Sequence, residues 1–228
     1  MKKIILLAGI AVLSFTTQAQ ISKGRSMLGG SARFNQRNTN TTQPNLPDQN
    51  ISKSTGIGTE MSYGYLFTDH LMAGLQFGFN YNHYNGDQNG ARYSISYESK
   101  TTLYVPGIFA RYYRQIKGSR FYFFVQLAGT YAIGTGISTD NSVGNVPSKD
   151  ESELNALDIY LTPGVVYMIN NKIGIETKIG RLGHSTQSTK RISQGKETDK
   201  TRDNNTYADF SFSTITLGVN FYFGGKGN

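Results

Sequence analysis

The sequence predicts an all-β chain, an eight-stranded antiparallel up-and-down transmembrane β-barrel whose apolar face points outward. Three observations carry that prediction. Eight segments alternate apolar with small or polar residues at a period of two, and the connections between them alternate long and short. Residues 1–19 read as an export signal, and no later apolar run approaches the ~20 residues that a membrane helix needs.

The signal is recognised by Lys2 and Lys3 ahead of an apolar run from Ile4 to Phe15, closing on Thr17-Gln18-Ala19. That pattern places cleavage before Gln20 and leaves residues 20–228 as one barrel domain. Cysteine is absent, so lipoprotein processing and disulfide staples are both excluded. With 15 Tyr, 13 Phe and 26 Gly the chain is too aromatic for disorder and suits tyrosine-rich strands punctuated by glycine. The net charge is +8, or about +6 once Lys2 and Lys3 leave. Those charges are scattered over loops and strand ends without an aromatic-interleaved basic stripe, which argues against nucleic acid as a partner.

The first strand, Gly24 to Phe34, sets Leu28, Gly30, Ala32 and Phe34 against Ser31 and Arg33. Residues 35–52, rich in Asn, Thr and Gln with Pro44 and Pro47, read as a long solvated loop. The second strand, Thr55 to Phe67, puts Ile57, Met61, Tyr63 and Tyr65 on one face and Gly58, Glu60, Ser62 and Gly64 on the other; Thr68-Asp69-His70 is a tight turn. Leu71 to Tyr81 is the cleanest alternation, with Leu75, Phe77 and Phe79 opposite Gly74, Gln76 and Gly78. Asn82 to Arg92, carrying Asn85-Gly86 and Asn89-Gly90, reads as a loop. The fourth strand, Ser96 to Tyr113, is bulky on both faces. Tyr104, Pro106, Ile108, Ala110 and Tyr112 are assigned to lipid, because the opposite phase would put Arg111 there at up to ~2–4 kcal/mol.

Gln115 to Ser119 is a short turn before the fifth strand, Phe121 to Ile133. Ser138 to Asn155 is a polar loop, and the sixth strand presents Leu157, Ile159, Leu161, Pro163, Val165, Tyr167 and Ile169. The turn Asn170-Asn171-Lys172 leads to the seventh strand, where Ile173, Ile175 and Ile179 oppose Glu176 and Lys178. His184 to Asn205 is the most charged loop, and the eighth strand runs from about Tyr207 to Phe223.

Long loops on one side and short turns on the other suit a membrane barrel. A soluble lipocalin-type barrel or a β-sandwich would need its apolar face inside and has no reason to alternate its loops so regularly. Aromatic placement points the same way: Tyr63, Tyr65, Phe67, Phe121, Phe123, Tyr167, Phe221 and Phe223 fall near the short turns, and Phe79, Tyr81, Tyr131 and Tyr207 near the long loops, forming two girdles.

On these residues, and on the terminal Val219-Asn220-Phe221-Tyr222-Phe223, the chain resembles the small eight-stranded outer-membrane β-barrel proteins, the group of OmpX, OmpW and the OmpA membrane domain. The resemblance implies a location in the outer membrane and a terminal strand read by the outer-membrane insertion machinery. It also implies contact with outer-membrane lipid and lipopolysaccharide, whose phosphates the basic balance suits. A surface ligand held by the long loops is a further expectation.

Candidate functional residues are the inward charges Glu60, Arg111, Glu176 and Lys178. Counted from the short turns, Glu60 and Lys178 share one height and Arg111 and Glu176 another, so each pair is expected to meet across a narrow lumen. The arrangement reads either as an ion-paired plug or as a polar pathway for small solutes. No cofactor is expected: three dispersed histidines without cysteine lack metal-ligand spacing, and no phosphate-cradling motif occurs. An acyl-ester hydrolase centred on His184 is the enzymatic alternative, but Thr186 stands two residues on and no orienting acid is assignable. The expected role is therefore non-enzymatic, a plugged barrel serving envelope integrity or surface interaction.

Overall fold

A computed structural model describes residues 21–42, 49–89, 94–142, 148–193, 196–211 and 214–225; the expected signal, residues 1–19, lies outside them. The strands are β1 (Arg25–Thr42), β2 (Gln49–Leu66), β3 (Leu71–Asn89), β4 (Ser94–Gln115), β5 (Phe121–Ser142), β6 (Ser148–Met168), β7 (Ile173–Lys178), β8 (Arg181–Ser193), β9 (Lys196–Asp209) and β10 (Thr216–Gly224). Every pairing is antiparallel. Consecutive strands pair from β1 through β6. The lower part of β6 then pairs with β7 and its upper part with β8. β10 pairs with β7 and returns to β1, where Arg25 to Ala32 face Gly224 to Leu217. The ring closes as eight staves, the seventh made of β7 and β8 and the eighth of β9 and β10.

Both staves break at one height. Gly180 has φ of 72°, and a Cβ there would fall 2.3 Å from Phe210 Cδ1 and 2.8 Å from the Asp209 carbonyl oxygen. Lys178 pairs with Thr216 and Arg181 with Asp209, so two residues of the seventh stave face six of the eighth. The surplus leaves the ladder, held by Ser211 N–H donating to Asp209 Oδ1 (3.0 Å) and Thr214 N–H donating to the Ser211 carbonyl (3.0 Å). The eighth strand expected to run unbroken from Tyr207 is therefore interrupted. Beyond the break β9 pairs with β8 alone, and above Ala32 the described partner of β1 is β2 alone, so the wall between them is unpaired. Substituting Gly180→Ala is expected to cost at least ~1–2 kcal/mol, the penalty for a Cβ in the left-handed region. The check is the urea midpoint of the vesicle-inserted protein.

The two faces follow the alternation. Leu75, Ile108 and Met61 are 63%, 64% and 62% exposed, while Met72 and Tyr113 are fully buried inside. On β4, Tyr104, Ile108 and Tyr112 point outward and Phe109, Arg111 and Tyr113 inward. The short turns sit at one rim. Thr68 Oγ1 accepts from Leu71 N–H (2.9 Å), and Asn170 Oδ1 accepts from the N–H groups of Lys172 (2.8 Å) and Ile173 (2.9 Å).

Two expectations are corrected. The four long loops are largely strand: β1 reaches Thr42, β3 reaches Asn89, β5 reaches Ser142, and β8 and β9 cover most of the charged segment. Both faces of a strand standing above the membrane meet water, so its period-two apolar signal vanishes while its backbone pairing persists. The β4 strand has 22 residues, which at ~3.3 Å per residue and a tilt of ~40° stands ~55 Å tall, about twice the ~25 Å apolar band. Tyr207, placed in the upper girdle by its position, instead turns inward, and its hydroxyl donates to Asp158.

Candidate functional site

Alternation on β2, β4 and β7 carries Glu60, Arg111, Glu176 and Lys178 to the inner face, and barrel closure brings them together. Arg111 Nη1 lies 2.5 Å from Glu176 Oε2, and Lys178 Nζ 2.5 Å from Glu60 Oε1. Lys178 Nζ is also 3.5 Å from Glu176 Oε1, so the two pairs form one chain of alternating charge. Arg111 and Glu176 are almost wholly buried and Lys178 nearly so.

Neutral polar groups extend this chain around the lumen. Arg111 Nε donates to Gln126 Oε1 (3.0 Å), Gln126 Nε2 to Gln76 Oε1 (3.0 Å), and Gln76 Nε2 to the Tyr160 hydroxyl (2.9 Å). Asn220 Nδ2 donates to Glu176 Oε2 (2.7 Å), and Arg111 Nη1 to the Tyr113 hydroxyl (2.9 Å). The guanidinium also lies 4.2 Å from the centroid of the Phe124 ring. Two carboxylates balance two cations, so the layer is close to neutral. That balance matters because a buried charge is tolerated only when paired and hydrogen-bonded. Below it Met27, Leu66, Met72, Val166, Met168 and Tyr222 fill the barrel, and Ile21 caps them with its N–H donating to the Tyr122 hydroxyl (3.2 Å). Chemically, the arrangement is a layer of paired charges and hydrogen-bonded polar groups on the inner face.

Formal charge led to the four ionic residues, whereas Gln76, Gln126, Asn220 and Tyr160 went unremarked. Their signal is present in the sequence: each is a hydrogen-bonding residue on the inward phase of an otherwise apolar strand. Above this layer lies a cavity of about 220 Å³ reached also by Arg33, Asp158, Tyr160 and Arg181. Period counting set Arg33 with Ser31 opposite the apolar face of β1 without naming it a site residue, and Arg181 lies past the last residue assigned to the seventh strand.

His184 lies opposite Ile159, which points outward, and its Nδ1 is 2.8 Å from Thr206 Oγ1. Thr186 Oγ1 donates to Asn204 Oδ1 (2.8 Å). Ser185, on the opposite phase, lines the lumen cavity. The hydrogen bonds described for His184 and Thr186 thus go to Thr206 and Asn204, and no carboxylate is among them. His83, on the extracellular extension, shares Glu98 with Lys100 at 2.8 and 2.7 Å, and hydrogen bonds from Lys100 and His83 hold the Glu98 carboxyl below its usual range, Lys100 contributing most. Among the described residues no three His, Asp or Glu side chains converge as metal ligands would.

Comparison with solved structures finds likenesses at low identity. The chain is similar to Neisserial surface protein A (14% identity, 89% of this chain and 99% of that one, TM-score 0.38). It is similar as well to OprG from Pseudomonas aeruginosa (12%, 91% and 99%, TM-score 0.46) and to Ail, the attachment invasion locus protein of Yersinia pestis (14%, 88% and 99%, TM-score 0.37). Comparison with curated protein sequences returns no match. The family model described as "Outer membrane protein beta-barrel domain" matches residues 5–223, and with a closed sheet whose apolar face is outside, the chain belongs to that family of outer-membrane β-barrel proteins.

Proposed function

We propose that this outer-membrane barrel is a non-enzymatic, non-conducting protein whose function, envelope integrity or surface interaction, is carried by the strand extensions above the membrane. The observation that carries the reading is the continuous layer of ion pairs and hydrogen bonds from Glu60 through Lys178, Glu176, Arg111, Gln126 and Gln76 to Tyr160. An eight-stranded barrel is only just wide enough for its own side chains to fill. Roughly half of the wall stands in water, and its Asn- and Thr-rich hairpins offer a polar surface to an extracellular ligand. The reading includes cleavage before Gln20 and recognition of Val219 to Phe223 by the insertion machinery. The hydrogen bond described for His184 goes to Thr206 rather than to an orienting carboxylate, which suits the non-enzymatic role.

Planar bilayers test this layer as a closed floor. With insertion verified by the heat-dependent gel shift of a folded barrel, the protein is expected to give no discrete current steps. Steps that change size in Glu60→Gln or Lys178→Met would replace this reading with a narrow pore. Acyl-ester hydrolysis abolished by His184→Ala would replace it with an enzyme.

A further inference from the structure

The cavity above the floor carries more positive than negative charge. Glu60, Lys178, Glu176 and Arg111 cancel one another, which leaves Arg33 and Arg181 facing Asp158. Both oxygens of Asp158 already accept from the Tyr207 hydroxyl, each at 2.9 Å. Arg181 lies over the Tyr160 ring at 4.4 Å, and Arg33 has no hydrogen bond or ion pair among the described residues. Both guanidiniums line this one cavity. Glu60 attracts Arg33 and Asp158 attracts Arg181, but no carboxylate forms an ion pair with either guanidinium among the described residues, which leaves their hydrogen-bond forks open to an anion.

We propose that this cavity binds a small monocarboxylate with an apolar body. One excess positive charge matches one carboxylate, which a guanidinium fork grips through two hydrogen bonds. Across the lumen Leu103, Val105 and Ala132 supply an apolar wall on β4 and β5, suited to a hydrocarbon or aromatic body. The volume of about 220 Å³ lies below the ~300 Å³ at which pockets for drug-sized ligands begin, so the body is small. Arg33 also lines a neighbouring cavity of about 210 Å³ with Asp209 and Thr214, at the unpaired wall between β1 and β9. The site therefore adjoins an opening that no backbone ladder closes. A phosphate dianion would overshoot the charge and leave the apolar wall unused.

Benzoate tests the proposal directly, titrated into the folded protein in lipid nanodiscs and followed by the Nε–H resonances of Arg33 and Arg181. Saturable shifts are expected with benzoate and none with benzyl alcohol, its neutral counterpart. Arg33→Gln and Arg181→Gln should each weaken binding at least tenfold, and Lys149→Gln, at the exposed rim, should leave it unchanged. The heat-dependent gel shift identifies the variants that fold, and the comparison of benzoate with benzyl alcohol needs no variant. Equal affinity for benzyl alcohol or for inorganic phosphate overturns the proposal, as does the absence of any saturable shift. Preference for palmitate over benzoate overturns the small-ligand assignment in favour of a lipid acid. Current steps in a bilayer would undo the closed floor without touching this result, so the two readings fail separately.

Discussion

Replacing Glu176 by methionine is expected to destabilise the inserted barrel by about 3–5 kcal/mol, the cost of stranding one member of a buried ion pair. Arg111 is then left in a nearly solvent-free layer with Gln126 and Tyr113 as its remaining polar contacts. A guanidinium cannot shed its proton to escape. The reciprocal variant, Arg111→Met, is expected to cost less. Glu176 keeps Asn220 at 2.7 Å and Lys178 at 3.5 Å, and a carboxyl left alone can take up a proton. The double variant Arg111→Met with Glu176→Met should recover most of the loss, because apolar groups of similar volume often replace a buried pair at little cost. Urea unfolding from vesicles, read by the gel shift, gives all three values. A double variant as unstable as the sum of the singles would mean that the two residues act independently and that stranded charge is not the source of the loss.

An arginine at Leu75 is expected to cost ~2–4 kcal/mol, whereas one at Tyr81 should cost ~0–1 kcal/mol. Leu75 is 63% exposed and pairs with Ile108, itself 64% exposed, in the middle of the apolar band. Tyr81 stands six residues further along β3, toward the extracellular rim. In a soluble protein an exposed leucine replaced by arginine would change stability by no more than about 0.5 kcal/mol, so the size of the first effect reports directly which solvent the face meets. The same unfolding assay reads it. A midplane arginine without cost would place that face in water and turn the barrel inside out.

Both experiments probe features that were legible at different depths. The alternation of β3 named lipid-facing and lumen-facing residues without ambiguity, since a one-residue slip would invert every side chain. On β4, where both phases are bulky, the cost of Arg111 in lipid chose the phase found here. The rule was silent above the membrane. In residues 35–42, 49–52, 184–193 and 196–205 a polar composition that reads as loop forms paired strand. It also failed at Tyr207, because a tyrosine serves a girdle and a lumen hydrogen bond equally well.

The local pattern by itself determined the strands within the membrane, their facing and the pairing heights of the four lumen charges. These depend on a period of two and on which solvent each face meets, both of which a single stretch of chain records. Tertiary structure alone decided the break at Gly180, the departure from the ladder after Asp209, the unpaired wall between β1 and β9, and the cavity that Arg33 and Arg181 line together. Those features depend on how many residues one stave places against another, and on which partners closure brings within a few ångströms. Neither quantity is written in any one segment.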